Sequence, residues 1–205
     1  MRVHVKICGI RDAETALAAV VAGADALGFV MAESVRRVTP AEASAIVVGI
    51  PGGVERVAVL RHPGPEEMEA LLREFEPDLV QAEHDARLDD AGARHLPVFR
   101  EAPGIEASID AHLAVGTAAR FVYEGARSGM GEAVDWRRAR GVGERGRMIL
   151  AGGLTPENVG DAIRTARPFG VDVSSGVESR LGVKDAGLIR AFVAAVREAE
   201  RGMTA

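Results

Sequence analysis

Eight times along the chain, a short apolar run of strand type gives way to a stretch with helical patterning. Strict alternation of this kind implies parallel strands joined by right-handed crossovers. Over 205 residues it leaves about 26 residues per unit. That fits a closed (β/α)8 barrel near the small end of its range of roughly 200–400 residues; a doubly wound open sheet is the alternative. The expected strands are Val3–Ile7, Ala26–Val30, Arg56–Leu60, Leu79–Gln81, Pro97–Arg100, Phe121–Tyr123, Met148–Ala151 and Val171–Val173. Helices are expected from the Asp12 cap to Ala22, from the Thr39 cap to about Val48, and over Pro65–Phe75, Arg87–Arg94, Ile105–Ala114, Trp136–Arg140 and Asp185–Glu200. One more starts at Thr155-Pro156-Glu157-Asn158, an echo of Thr39-Pro40-Ala41-Glu42. In both, a Thr hydroxyl faces an orphan N–H and Pro occupies the first helical position, where no N–H is needed. No linker or composition shift marks a boundary, so residues 1–205 are read as one α/β domain, a TIM barrel of eight parallel strands.

Composition narrows the function. The formal net charge is −5 and aromatic residues make up only 4% of the chain. A nucleic-acid partner needs a basic face or a stacking platform, and neither is expected. The single cysteine rules out an intrachain disulfide and a cysteine-cluster zinc site, and the five histidines show no metal-ligand spacing. The charges of MRVHVKICGIRDAE come too early for a signal-peptide core. The most apolar stretch, Ala13–Ala32, is broken around Asp25 into pieces too short to span a bilayer. A soluble cytoplasmic protein acting on small molecules or on proteins is expected, with no membrane partner and with monomer and homodimer both open.

A barrel places its active site on the loops after its strands. In the first strand Val3, Val5 and Ile7 share one face, and His4, Lys6 and Cys8 the other. If the apolar set meets the helices, Lys6 and Cys8 point into the barrel. A buried ammonium needs a partner, and Asp172 at the end of the eighth strand is the natural one. Cys8 is then either a small buried residue or a general base whose thiolate a nearby cation favours. Ala151-Gly152-Gly153-Leu154 and Ser174-Ser175-Gly176 end the seventh and eighth strands. Backbone amides and a helix N-terminus there suit a phosphate. The Arg36–Arg37 pair follows the second strand, and one of its planar forks suits a carboxylate. Glu124 ends the sixth strand, across the mouth from Cys8, where it completes an acid–base pair. Ser128, Gly129 and Gly131 make the loop from Gly125 to Ala133 supple enough to act as a lid.

Taken together and in order, these segments resemble the phosphoribosylanthranilate isomerases. KICGI at Lys6–Ile10, AGADALGFV at Ala22–Val30, SVRRVTP at Ser34–Pro40, GMGEAVDW at Gly129–Trp136, LAGGLTPENV at Leu150–Val159, GVDVSSGVE at Gly170–Glu178 and GVKD at Gly182–Asp185 carry the resemblance. It implies an Amadori rearrangement of N-(5-phosphoribosyl)anthranilate to 1-(2-carboxyphenylamino)-1-deoxyribulose 5-phosphate, without metal or organic cofactor. It further implies Cys8 as general base and Glu124 as general acid. Arg36 would face the anthranilate carboxylate, Asp172 would lie near the sugar hydroxyls, and Lys6 would support it. Gly152, Gly153, Ser174, Ser175 and Gly176 would hold the phosphate.

Two positions depart from the family pattern. Glu124 stands where the family has aspartate, so its carboxyl lies one methylene further out. The family's Gln-Leu-His-Gly after the fourth strand reads Gln81-Ala82-Glu83-His84. This puts the acid Glu83 at the substrate-binding face, where it repels an anion unless it is protonated or points away. Two other readings therefore stand beside the isomerase: a phosphate-binding barrel that takes a different phosphosugar, and a binding-only relative with weakened catalysis.

Overall fold

The eight strands close on themselves. The computed structural model describes residues 2–84, 95–115, 120–126 and 134–203. Its barrel strands are β1 (His4–Cys8), β2 (Ala26–Val30), β3 (Glu55–Val59), β4 (Leu79–Glu83), β5 (His95–Arg100), β6 (Arg120–Glu124), β7 (Arg147–Ala151) and β8 (Gly170–Val173). Each pairs in parallel with the next, and β8 pairs with β1. Closure excludes the open doubly wound sheet. The described helices are α1 (Ala13–Ala22), α2 (Pro40–Val47), α3 (Pro65–Glu74), α4 (Ile105–Val115), α5 (Trp136–Gly143), α6 (Val159–Ala166) and α7 (Ala186–Met203). The expected helix over Arg87–Arg94 and the lid segment with Ser128, Gly129 and Gly131 lie outside the described residues.

Period-two alternation sorts each strand into two faces. Outward residues such as Val5, Ile7, Phe29, Phe121, Leu150 and Val171 join the helices in the main core. Inward residues Ala26, Val57, Leu79, Leu96, Val98, Val122, Ile149 and Ala151 form a second, smaller cluster that fills the barrel. At its lower end Arg120 donates from both terminal nitrogens to Glu55, at 2.9 and 2.7 Å. Above the apolar layer the inward positions turn polar, which sets the place of the site.

The two Thr-Pro starts fold differently. Thr39 forms the expected capping box: its hydroxyl accepts from the Glu42 N–H while the Glu42 carboxylate accepts from the Thr39 N–H. At the second start the helix begins only at Val159. The Asn158 carboxamide explains the delay: its Oδ1 accepts from the Thr155 N–H and its Nδ2 donates to the Gly153 carbonyl, both at 2.8 Å. Asn158 thus ties the turn to the glycine loop before it, and the first helical turn gives way to that tie. A short hairpin, β9 (Glu178–Arg180) with β10 (Val183–Lys184), follows β8 and was not legible in the alternation.

Candidate active site

The inward side chains at the strand ends open into a cavity of 320 Å³, within the usual size of small-molecule sites. Cys8, Arg36, Glu83, Glu124, Gly152, Gly153, Asp172, Ser174 and Ser175 all line it. Two expected residues do not. Lys6 is fully buried below the floor, and Gly176 packs against the Leu154 carbonyl instead.

Lys6 and Asp172 are register partners on β1 and β8, and their ion pair is 2.9 Å long. Burial alone would pull the Lys6 ammonium down. Asp172, and then Cys8, outweigh it, so the net direction is up. Cys8 sits beside this pair and is 8% exposed. Gly28 on β2 makes room for both: a Cβ there would come within 2.9 Å of the Cys8 sulfur and 3.1 Å of Lys6 Nζ. The expected cation is therefore present, but the thiolate is not favoured. Burial, joined by the nearby Asp172, pushes the thiol up, and the opposing pull of Lys6 and Lys184 does not overcome it. A charge taken out of water loses more solvation than two neighbouring cations return here.

Of the two arginines after β2, Arg37 is exposed and Arg36 turns into the cavity. Arg36 is held from behind. Its Nε and Nη2 donate to the two oxygens of Glu178 at 2.7 and 2.9 Å, a bidentate geometry that fixes the plane of the fork. Glu178 also accepts from Lys184 Nζ at 2.7 Å and from the Gly182 N–H at 3.0 Å. Lys184 donates in turn to the carbonyl and hydroxyl of Ser174, at 3.0 and 3.2 Å. The β9–β10 hairpin thus couples the Arg36 loop to the loop after β8. Burial raises Glu178, but Arg36, Lys184 and the Gly182 N–H outweigh it and hold its carboxyl at about 2. Neither Glu178 nor Lys184 was singled out in the sequence, although the GVE and GVKD segments contain them.

Glu83 and Glu124 do not face each other bare. Arg100, the last residue of β5, lies between their strands. Its Nε donates to Glu83 Oε1 at 2.8 Å, its Nη2 donates to the same oxygen, and its Nη1 donates to Glu124 Oε1. The repulsion expected of Glu83 is met by this guanidinium. Sequence reasoning missed Arg100 because its place follows only from register: it is opposite Glu124 on β6 and one inward position beyond Val98, the partner of Glu83 on β4.

The two glycine loops meet at the rim. A Cβ on Gly176 would fall 1.8 Å from the Leu154 carbonyl oxygen, so only glycine lets the loop after β8 lie against the loop after β7. Gly152 and Gly153 both take positive φ, +94° and +64°, which turns the backbone of the first loop along the cavity.

The chain as a whole matches known proteins. The model of the N-(5'-phosphoribosyl)anthranilate (PRA) isomerase family matches residues 5–195. An N-(5'-phosphoribosyl)anthranilate isomerase of Pseudomonas fluorescens (strain Pf0-1) is 42% identical over 203 residues, covering 95% of this chain and 98% of the relative. The crystal structure of phosphoribosyl anthranilate isomerase from Thermotoga maritima superposes with a TM-score of 0.84 at 33% identity, covering 96% of this chain and 99% of the other. A phosphoribosyl anthranilate isomerase in complex with reduced 1-(o-carboxyphenylamino)-1-deoxyribulose 5-phosphate superposes with a TM-score of 0.81, also at 33% identity, over 96% of this chain and 99% of the other. This chain belongs to the N-(5'-phosphoribosyl)anthranilate isomerase family.

Proposed function

We propose that the chain converts N-(5'-phosphoribosyl)anthranilate to 1-(2-carboxyphenylamino)-1-deoxyribulose 5-phosphate. The observation that carries this reading is one cavity lined by both Cys8 and Glu124, with the glycine loops after β7 and β8 on its rim. Gly152, Gly153, Ser174 and Ser175 hold the phosphate through backbone amides and hydroxyls, and Gly176 lets their two loops pack together. Arg36, oriented by Glu178, receives the anthranilate carboxylate. The sugar then lies over the floor between Cys8 and Glu124.

Glu124 donates a proton to the ring oxygen. The C1–O bond breaks, its electron pair stays on that oxygen, and the anthranilate nitrogen forms a double bond to C1. Cys8 removes the proton from C2, giving an enolamine. Proton return to C1 and loss of the C2 hydroxyl proton leave the ketone. No atom is gained or lost. Asp172, ion-paired with Lys6, lies near the sugar hydroxyls. Arg100 acts through the two acids it bridges and is a positioning residue. To act as an acid, Glu124 must take up a proton and its pair with Arg100 must part; Glu83 then retains the guanidinium.

The same reading takes residues 1–205 as one isomerase domain working in the cytoplasm, as monomer or homodimer, without metal or organic cofactor. Among the described residues no helix is long and apolar enough to cross a membrane. The test is turnover. Purified protein should convert phosphoribosylanthranilate to the ketose, and Cys8→Ala protein should not. A folded wild type that binds the phosphorylated substrate without turnover would overturn the reading.

A further inference from the structure

Two buried oxygens in the cavity have no protein hydrogen-bond partner among the described residues: Gln81 Oε1 and Asp172 Oδ1. Gln81 is only 6% exposed and Asp172 8%, and both line the cavity. The cations nearby are committed elsewhere. Lys6 bonds the other oxygen of Asp172, and Arg100 is divided between Glu83 and Glu124. Buried acceptors are almost always satisfied. Two orphans on one cavity floor mark places where a ligand brings the donors.

The chemistry of that ligand follows from the atoms. An acceptor oxygen repels phosphate and carboxylate oxygens, so neither anionic end of a substrate belongs here. What fits is a neutral donor. Gln81 stands on β4 and Asp172 on β8, four places apart around the closed ring of eight strands. The ligand portion between them must span the floor and offer donors on both sides, as a sugar chain with several hydroxyls does.

We infer that Gln81 is a substrate-binding residue that accepts a hydrogen bond from a sugar hydroxyl opposite Asp172. The inference rests on the proposed isomerase reading for the identity of the sugar, and on the orphaned amide alone for the class of group.

The experiment compares wild type, Gln81→Leu and Gln81→Met by calorimetric titration. The probes are the reduced ketose product analogue and inorganic phosphate, with melting temperatures taken without ligand. We expect the variants to bind the analogue about 10-fold more weakly, the order of one hydrogen bond. Inorganic phosphate should bind as in wild type, and the ligand-free melting temperature should hold or rise, since an unpartnered polar atom is removed. Unchanged analogue affinity in both variants, or an equal loss for inorganic phosphate, would overturn the inference. If wild type binds the analogue but does not turn over phosphoribosylanthranilate, the reaction falls while the titrations still decide Gln81.

Discussion

Arg100 and Glu124 are register partners on β5 and β6, and the guanidinium of the first bonds the carboxylate of the second while also holding Glu83. One cation thus stands between two acids. Replacing it with Gln leaves two carboxylates facing an anionic substrate. We expect Arg100→Gln to lower kcat/KM about 10²-fold, the scale of a misplaced catalytic group. Removing the second acid should relieve the repulsion, so Glu83→Gln in the Arg100→Gln background should recover part of the loss. The kinetic double-mutant cycle should give a coupling of about 1–3 kcal/mol. Additive effects would make the bridge incidental.

In the proposed mechanism, Cys8 as thiol and Glu124 as ion-paired carboxylate hold one proton that the chemistry needs placed the other way round. Both arrangements contain the same number of protons, so their ratio is constant wherever the pair holds one proton. The rate should be flat there and fall on the alkaline side when the thiol titrates. Burial raises Cys8 above its ordinary value, so that limb should lie above the usual thiol range. Cys8→Ala should cost about 10²–10⁴-fold in kcat, the range of a lost general base. A profile already falling near neutral pH would contradict the buried thiol.

Glu178 ties acid stability to the site. Its carboxyl is held at about 2, below its ordinary value of 4.5. A depressed acid stabilises the fold when ionised. That contribution is complete above the ordinary value and is lost as pH falls from about 4.5 toward about 2. Glu178→Gln should flatten the dependence of melting temperature on pH across that window. At neutral pH it leaves Arg36 and Lys184 without their shared anion, at a cost of about 3 kcal/mol. The freed Arg36 fork should raise KM more than it lowers kcat, because its contact with a carboxylate serves binding. A larger fall in kcat than rise in KM would assign Glu178 to the chemistry.

The barrel was legible because alternation acts over the whole chain. A strand shifted by one residue still belongs to the same unit, and Lys6 with Asp172 followed from parity on β1 and closure at β8. Cys8 and the glycine loops carry local spacing, and their place around the cavity could be read as well. Arg100 could not, since its role depends on which neighbours register gives it on β4 and β6. Glu178 and Lys184 were hidden by the β9–β10 hairpin, an irregular insertion that period-two reading does not find. Of the two readings of Cys8, the one in which a cation favours the thiolate is not supported, for a related reason: spacing identifies the cation nearby, whereas burial is a property of the packed barrel. At Thr155 the local rule failed because Asn158 makes a competing bond to the Thr155 N–H and to the Gly153 carbonyl.

Gly176 gives the sharpest test of the proposed phosphate loops. A methyl group there would collide with the Leu154 carbonyl oxygen at 1.8 Å, and neither partner is a side chain that can rotate away. Both are backbone, so Gly176→Ala must push the loop after β8 off the loop after β7. The helix α7 and the β9–β10 hairpin anchor the far side of that loop and oppose the shift. We expect a loss of about 1–3 kcal/mol in stability, the usual cost of overpacking. Affinity for inorganic phosphate should fall at least about 10-fold, because amides that converge on one anion no longer do so. Gly52→Ala is the control: a Cβ there meets nothing within 4 Å, so phosphate affinity should be unchanged. Titration with inorganic phosphate and thermal melts of both variants decide the matter. Wild-type phosphate affinity in folded Gly176→Ala protein would place the anion away from these two loops.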